Sequence, residues 1–385
     1  MRPSTGAIQL LALGAFVAGI SLRCVEPMLP QLATDFSTTV SAASVIVTSF
    51  AVAYACAVLV QGPLGDRYGK LRVVTIGVAL AGLASFGCAA AWNLGSLAAM
   101  RFLMAMFASA PVALGIAYIG DVIPLEHRQA TIARFVAGSI FGQTLGPLFG
   151  GVLTDWAGWR SSFVVLGLLF LGGAATMFVR TRREWRATTH GRFEPLALLA
   201  GLLARAPIRW LVAVGVAETF FFFGGYVFIG AYLRDRFGLS YTAIGLVLAG
   251  YGVGGLVFSS LVRWVVPLGH RRLVALGGVL AFLAFAVIVL PDDWRYAVPG
   301  TFILGLAFYL LHNTVQTKAS EVAPDARGTA LALFASGWAV GQASGVAALG
   351  VAVAYMGYAK AILSAATGFA LLGFWLRSNM ARLHA

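Results

Sequence analysis

Charge is scarce in this chain. Asp, Glu, Lys and Arg make up 11% of its 385 residues and hydrophobic residues 60%, against roughly 25% charged in an average soluble domain. Too little polar sequence remains to cover the core that such a composition would build, which excludes a water-soluble globular fold. Cysteine is rarer still. Cys24, Cys56 and Cys88 all sit within apolar runs. A disulfide framework and a thiolate metal site are therefore excluded, and the three read as small packing residues. No HExxH helix, nucleophile elbow, phosphate-cradling glycine loop or pair of catalytic carboxylates occurs, and Asp292-Asp293 stands alone. An intramembrane enzyme would need such a set, and a membrane sensor would need an output domain. The sequence offers neither. No metal, organic cofactor or nucleic-acid partner is expected, and the chain does not read as an enzyme.

What is present is apolar length. A helix needs about 20 apolar residues to cross the hydrocarbon. Runs of that kind are expected at 7–32, 41–62, 73–92, 97–120, 131–153, 160–180, 209–233, 241–262, 273–290, 298–318, 328–354 and 358–377. The expected fold class is an all-α integral membrane protein of 12 transmembrane helices. The first run does not read as a cleaved signal, because a single Arg precedes it and no small-residue cleavage site follows.

Acids are scarcer than bases, 14 against 27, giving a net charge of +13. With the N-terminus placed inside, 20 of the 27 cations fall in loops or helix ends on that side. Only Arg160, Arg234, Arg236, Arg295 and Lys360 fall on the other, and Arg23 and Arg101 lie within spans. An excess of Lys and Arg marks the cytoplasmic side, so both termini are expected in the cytoplasm of a cell whose inner (plasma) membrane the chain crosses many times. A basic face against anionic lipid accounts for the net charge without nucleic acid.

The chain also repeats itself. Residues 128–151 read RQATIARFVAGSIFGQTLGPLFGG and residues 327–350 read RGTALALFASGWAVGQASGVAALG, 199 positions later. Arg128, Phe135, Gly138, Gly142, Gln143, Gly146 and Gly151 recur as Arg327, Phe334, Gly337, Gly341, Gln342, Gly345 and Gly350. One repeat at half the length implies two similar halves. They are expected at 1–180 and 209–385, joined by a cytoplasmic linker at 181–208 with an amphipathic piece on the membrane face. Two such halves in a membrane commonly form a cleft for a transported molecule.

The loop between the second and third runs reads Gly62-Pro63-Leu64-Gly65-Asp66-Arg67-Tyr68-Gly69-Lys70-Leu71-Arg72. Glycines let helix ends approach and turn sharply. Asp66 can cap the start of the third helix, and the cations can pair with acids on neighbouring helix ends such as Asp121. At Gly62, Leu64, Asp66, Arg67, Gly69 and Lys70 this loop resembles the gating signature of the major facilitator superfamily. Leu71 departs from it where a second cation is common, and Gly269-His270-Arg271-Arg272 is a weaker copy without the acid. The resemblance extends over essentially the whole chain and implies two pseudo-symmetric six-helix halves.

The fifth run narrows the resemblance. Gly138, Gly142, Gly146, Pro147, Gly150 and Gly151 are similar to the antiporter motif of the family's 12-span drug:proton exporters. Small residues at every fourth position give a smooth face for close helix packing. Arg101, in the fourth run, matches a family cation, but Met104 and Ala105 stand where Gln and Gly are usual.

Ionisable groups within spans are costly and usually face a cavity or a partner. Arg23, Glu26, Arg101 and Glu218 are such groups and are the proton-coupling candidates. Arg23 and Glu26 are three apart and should share a helix face. Glu218 has no cation within one turn, so the two acids should differ in protonation, one binding and one relaying. Phe220, Phe223 and Tyr226 beside Glu218, with His312 and Asn313 in the tenth run, are the candidate lining of a substrate cavity. His312 reads as a gate or packing residue. The resemblance implies a monomeric, proton-driven exporter of small organic molecules, drug-like or toxic, with the proton gradient in place of any cofactor. A metabolite exporter or importer is the alternative.

Overall fold

The computed structural model describes residues 5–185, 201–323 and 327–383. Every regular element among these residues is helical, as it must be where hydrocarbon leaves no water to satisfy the backbone. Among the described residues, twelve helical stretches are long and apolar enough to cross a membrane. They are Gly6–Arg23, Val40–Tyr68, Lys70–Ala89, Leu94–Val122, Glu126–Ala157, Trp159–Glu184, Ala206–Phe237, Tyr241–Leu268, His270–Val289, Trp294–Ala319, Thr329–Met356 and Tyr358–Arg382. We call them spans one to twelve. The expected fold class holds. Residues 186–200, where the amphipathic piece of the linker was expected, lie outside the described residues.

The backbone carries the repeat as clearly as the side chains do. Three pairs of residues with positive φ recur about 200 positions apart: Ser37 and Gly238, Gly69 and Gly269, Gly158 and Gly357. Each sits between consecutive helices. Packing repeats too. A Cβ on Gly138, Gly142 or Gly146 would meet the carbonyl oxygen of Ala12, Phe16 or Ile20 on span one. A Cβ on Gly337, Gly341 or Gly345 would meet that of Val212, Val216 or Phe220 on span seven. Span five therefore lies on span one as span eleven lies on span seven. The glycine stripe is what lets the backbones touch.

Several expectations are corrected. Span one is not one helix to residue 32. It ends at Arg23, turns through Cys24–Met28 and resumes at Leu29–Asp35. Pro27 has no N–H to donate to Arg23 O. Glu26 N donates there instead at 3.4 Å, in a tighter turn. Span seven breaks at the matching level, between Ala206–Tyr226 and Ile229–Phe237. Span two, conversely, is longer than expected and runs through Pro63 to Tyr68. The presumed loop is Gly69 alone, with φ 90. Asp66 thus sits in the last turn of span two and does not cap span three.

The halves are joined toward one end of the bundle. Thr48 Oγ1 donates to Ala343 O at 3.5 Å, and Ser336 Oγ to Ala55 O at 3.1 Å. Asp155 accepts from Tyr241 N and Thr242 N at 3.1 and 2.6 Å. Val227, Phe228, Val346 and Leu349 of the second half are buried in the core of the first. All of these lie between the middle of the bundle and the end remote from the Arg-rich loops. At the Arg-rich end, no residue with described burial between Glu126 and Arg134 of span five, or between Ser259 and Gly269 of span eight, is buried.

Candidate functional site

The break in span one presents Arg23 and Glu26 to the second half. Arg23 Nη1 donates to Glu26 Oε1 at 2.8 Å, with both residues 1% exposed. The pair is made across a turn, not along a helix face. The Arg23 guanidinium also crosses the boundary between halves. It lies 4.1 Å over the Phe223 ring and 5.8 Å from the rings of Tyr226 and Tyr251. A desolvated cation on aromatic faces is attracted by the ring quadrupole. Glu26 Oε2 and Arg23 Nε have no protein partner.

Arg101 is hydrogen-bonded to neither Arg23 nor Glu26. Its Nη1 donates to Ser21 O at 2.9 Å, and its guanidinium lies 4.2 Å over Phe50 and 5.9 Å from Phe163. All of these belong to the first half. Among the described residues, no carboxylate bonds Arg101, and its Nε and Nη2 have no protein partner.

Glu218 is not the lone acid that the sequence implied. His312 Nδ1 of span ten stands 2.8 Å from Glu218 Oε1. Periodicity along span seven cannot show a partner that another span supplies. His312 is in turn stacked on Phe308 at 4.9 Å and on Phe334 at 5.8 Å. It is therefore the hydrogen-bond partner of a buried acid and is held by rings, a partnership that the expected gate or packing role did not include. Glu218 Oε2 has no protein partner, like Glu26 Oε2. Each buried acid has one oxygen held and one free.

Of the expected lining, Phe223 and Tyr226 reach the boundary, and His312 reaches Glu218. Phe220 packs on Phe221 at 5.2 Å instead. Asn313 is partly buried, and its carbonyl accepts from Thr317 Oγ1. Tyr251, Tyr309, Phe308 and Trp338 belong to the same ring cluster as Phe223 and were missed. They lie on three different spans, and aromatic residues scattered through apolar spans do not show locally that they will meet.

The gating-loop residues form a clamp. Lys70 Nζ bonds Asp66 Oδ1 at 2.8 Å and Asp121 Oδ2 at 2.7 Å. That ties spans two, three and four together. Gly65 packs on Leu114, and Gly62 has open space beside it. Arg67 lies 5.3 Å from the Tyr68 ring. In span five, Gly150 faces Cys24 O at the break in span one, and Gly151 faces Tyr241 O of the second half. Gly245 would bring a Cβ within 2.5 Å of Pro147 O. The antiporter-type stretch therefore touches both span one and span eight.

A sequence model of the Major Facilitator Superfamily matches residues 11–346 and 220–382. The chain is 27% identical over 375 residues to the uncharacterized MFS-type transporter YwfA of Bacillus subtilis (strain 168), covering 95% of this chain and 90% of that one. It is 25% identical over 297 residues to the efflux pump radE of Floropilus chiversii, covering 69% of this chain but only 54% of that one. The inward-facing, occupied structure of a bacterial homologue of the human lysosomal transporter Spinster matches with a TM-score of 0.75 at 18% identity. That match covers 98% of this chain and 97% of the other.

Proposed function

The chain belongs to the major facilitator superfamily, and from that premise we propose that it exports small organic molecules in exchange for protons, by alternating access of its two halves. The observation that carries this reading is the Arg23–Glu26 pair, buried where the two halves meet and covered by rings of the opposite half. A carboxylate there changes its surroundings whenever the halves part. With Arg23 engaged, Glu26 is neutralised by a cation. With Arg23 displaced, a proton on Oε2 is the alternative means of keeping the site neutral. The Glu218–His312 pair places a second buried, hydrogen-bonded acid in the other half.

With the Arg-rich end in the cytoplasm of a bacterium, the halves close at the outer face and part inside, the arrangement that admits a substrate from the cytoplasm. One proton falling through about 150 mV releases about 3.5 kcal/mol. That sustains a gradient of roughly a few hundredfold for a neutral substrate, so a single coupling acid suffices. The name of the relative radE agrees with export. A monomer suffices, because both halves of the cleft are on one chain.

Growth-inhibition profiling of cells lacking and overexpressing the protein supplies an exported compound. Purified protein is then challenged with it, and proton release is recorded for wild type, Glu26→Gln and Glu218→Gln. Loss of release in either variant, with folding retained, supports the reading. Wild-type release in both variants removes proton coupling from these acids.

A further inference from the structure

The Arg23 guanidinium has two sets of partners of different origin. Glu26 is on its own half, and Phe223, Tyr226 and Tyr251 are on the other. An ion pair serving only the first half would be complete with Glu26. The rings add a cation-binding face on the surface that must separate when the outer end opens. They are also fixed without Arg23. Tyr226 donates its hydroxyl to Leu248 O at 3.1 Å. Phe222 packs within 6.1 Å of Tyr226 and 5.7 Å of Tyr251, and Trp338 lies 5.3 Å from Phe223. The face is preformed, which lowers the cost of accepting a ligand.

We propose that Phe223, Tyr226 and Tyr251 form a binding site for the positive group of an organic cation, an amine, guanidinium or onium, and that Arg23 fills it as a tethered ligand in the closed state. This rests on the alternating-access reading above and names the substrate class for it. An entering cation takes over both of the contacts Arg23 makes, the ring faces and the Glu26 carboxylate. Arg23 is suited to yield, because it is a flexible side chain beside a helix break. A neutral ligand would lack the cation–quadrupole attraction, and an anionic one would be repelled by the negative ring faces. Arg101 does not compete for this role, since its contacts are all within the first half.

The test is equilibrium binding of tetraphenylphosphonium to the full-length protein in nanodiscs. Tetraphenylborate serves as the probe of the same shape and opposite charge. Arg23→Leu removes the tethered competitor and should tighten tetraphenylphosphonium binding about tenfold, a change one desolvated cation–ring contact can supply. Phe223→Ala should weaken it by a similar factor, and tetraphenylborate should show neither change. Arg23→Leu leaves Glu26 bare, so the double variant Arg23→Leu/Glu26→Gln is measured beside it. It removes both charges, avoids a buried unpaired acid, and should retain a gain attributable to the rings. No gain in either Arg23 variant, or unchanged binding in Phe223→Ala, overturns the proposal. Binding is read without transport, so the two readings fail separately. Proton release lost in Glu26→Gln with no gain in Arg23→Leu defeats the cation site alone. Gain in Arg23→Leu with wild-type proton release in both acid variants defeats the coupling alone.

Discussion

Removing the Asp155 carboxylate should loosen the closure of the end remote from the Arg-rich loops. Asp155 ends span five, and its two oxygens accept from Tyr241 N and Thr242 N, the first N–H groups of span eight, at 3.1 and 2.6 Å. Ser240 accepts from Ala243 N of the same turn at 3.2 Å. Helix starts leave such N–H groups without intrahelical partners, and the helix dipole favours an anion beside them. Here two of the donors are satisfied from the opposite half, so the cap exists only while the halves are together. Losing a capping side chain costs about 0.5–2 kcal/mol. Asp155 is exposed, which discounts the charge contribution, so Asp155→Ala should remove about 1–1.5 kcal/mol from the closed state. That shifts the closed-to-open ratio by about fivefold to tenfold. Asp155→Asn keeps one acceptor and should give a smaller shift. The assay is double electron–electron resonance between spin labels at Trp92 and Tyr355. Both positions are exposed at that end of the bundle, one in each half. Cys24, Cys56 and Cys88 are replaced beforehand. A larger long-distance population is expected for Asp155→Ala. A distribution identical to the wild type would refute the latch.

Three further outcomes follow from packing and backbone geometry. Gly142→Ala places a Cβ against Phe16 O, a backbone atom that cannot move aside, and should lower the melting temperature in detergent by an amount equivalent to about 1–3 kcal/mol. Gly62→Ala, beside open space, should not lower it. Ser37→Gly relieves a φ of 49 and should raise stability by up to about 1 kcal/mol, whereas Gly238→Ala at the equivalent position should reduce it; thermal unfolding of the two variants reads both signs. His312→Ala leaves both Glu218 oxygens without a protein partner and should destabilise by about 1–3 kcal/mol. The double variant His312→Leu/Glu218→Leu should recover most of that loss, and a melt that stays low would show the pair is not the cause.

Much of this protein is written in local sequence because a membrane simplifies the physics. Hydrocarbon demands helices, so apolar length alone gives 12 spans, and Lys and Arg distribution gives the expected sidedness. The glycine repeat, from Gly138 to Gly146 and from Gly337 to Gly345, foretold equivalent packing in the two halves, because only glycine admits a carbonyl of the neighbouring span so closely. Even the break in span one has a local cause in Pro27. The partnerships of the buried charges did not follow in the same way. Nothing near Glu218 in sequence indicates His312, 94 positions away. Nothing near Arg23 indicates the rings of Phe223 and Tyr251. Lys70 could be expected to meet acids, but only the folded bundle selects Asp66 and Asp121 together. Sequence determines which segments enter the membrane and which faces can pack, since these depend on composition and period along one helix. Tertiary structure decides which buried charge meets which partner, because helices brought together across the bundle set distances that no spacing along one span encodes.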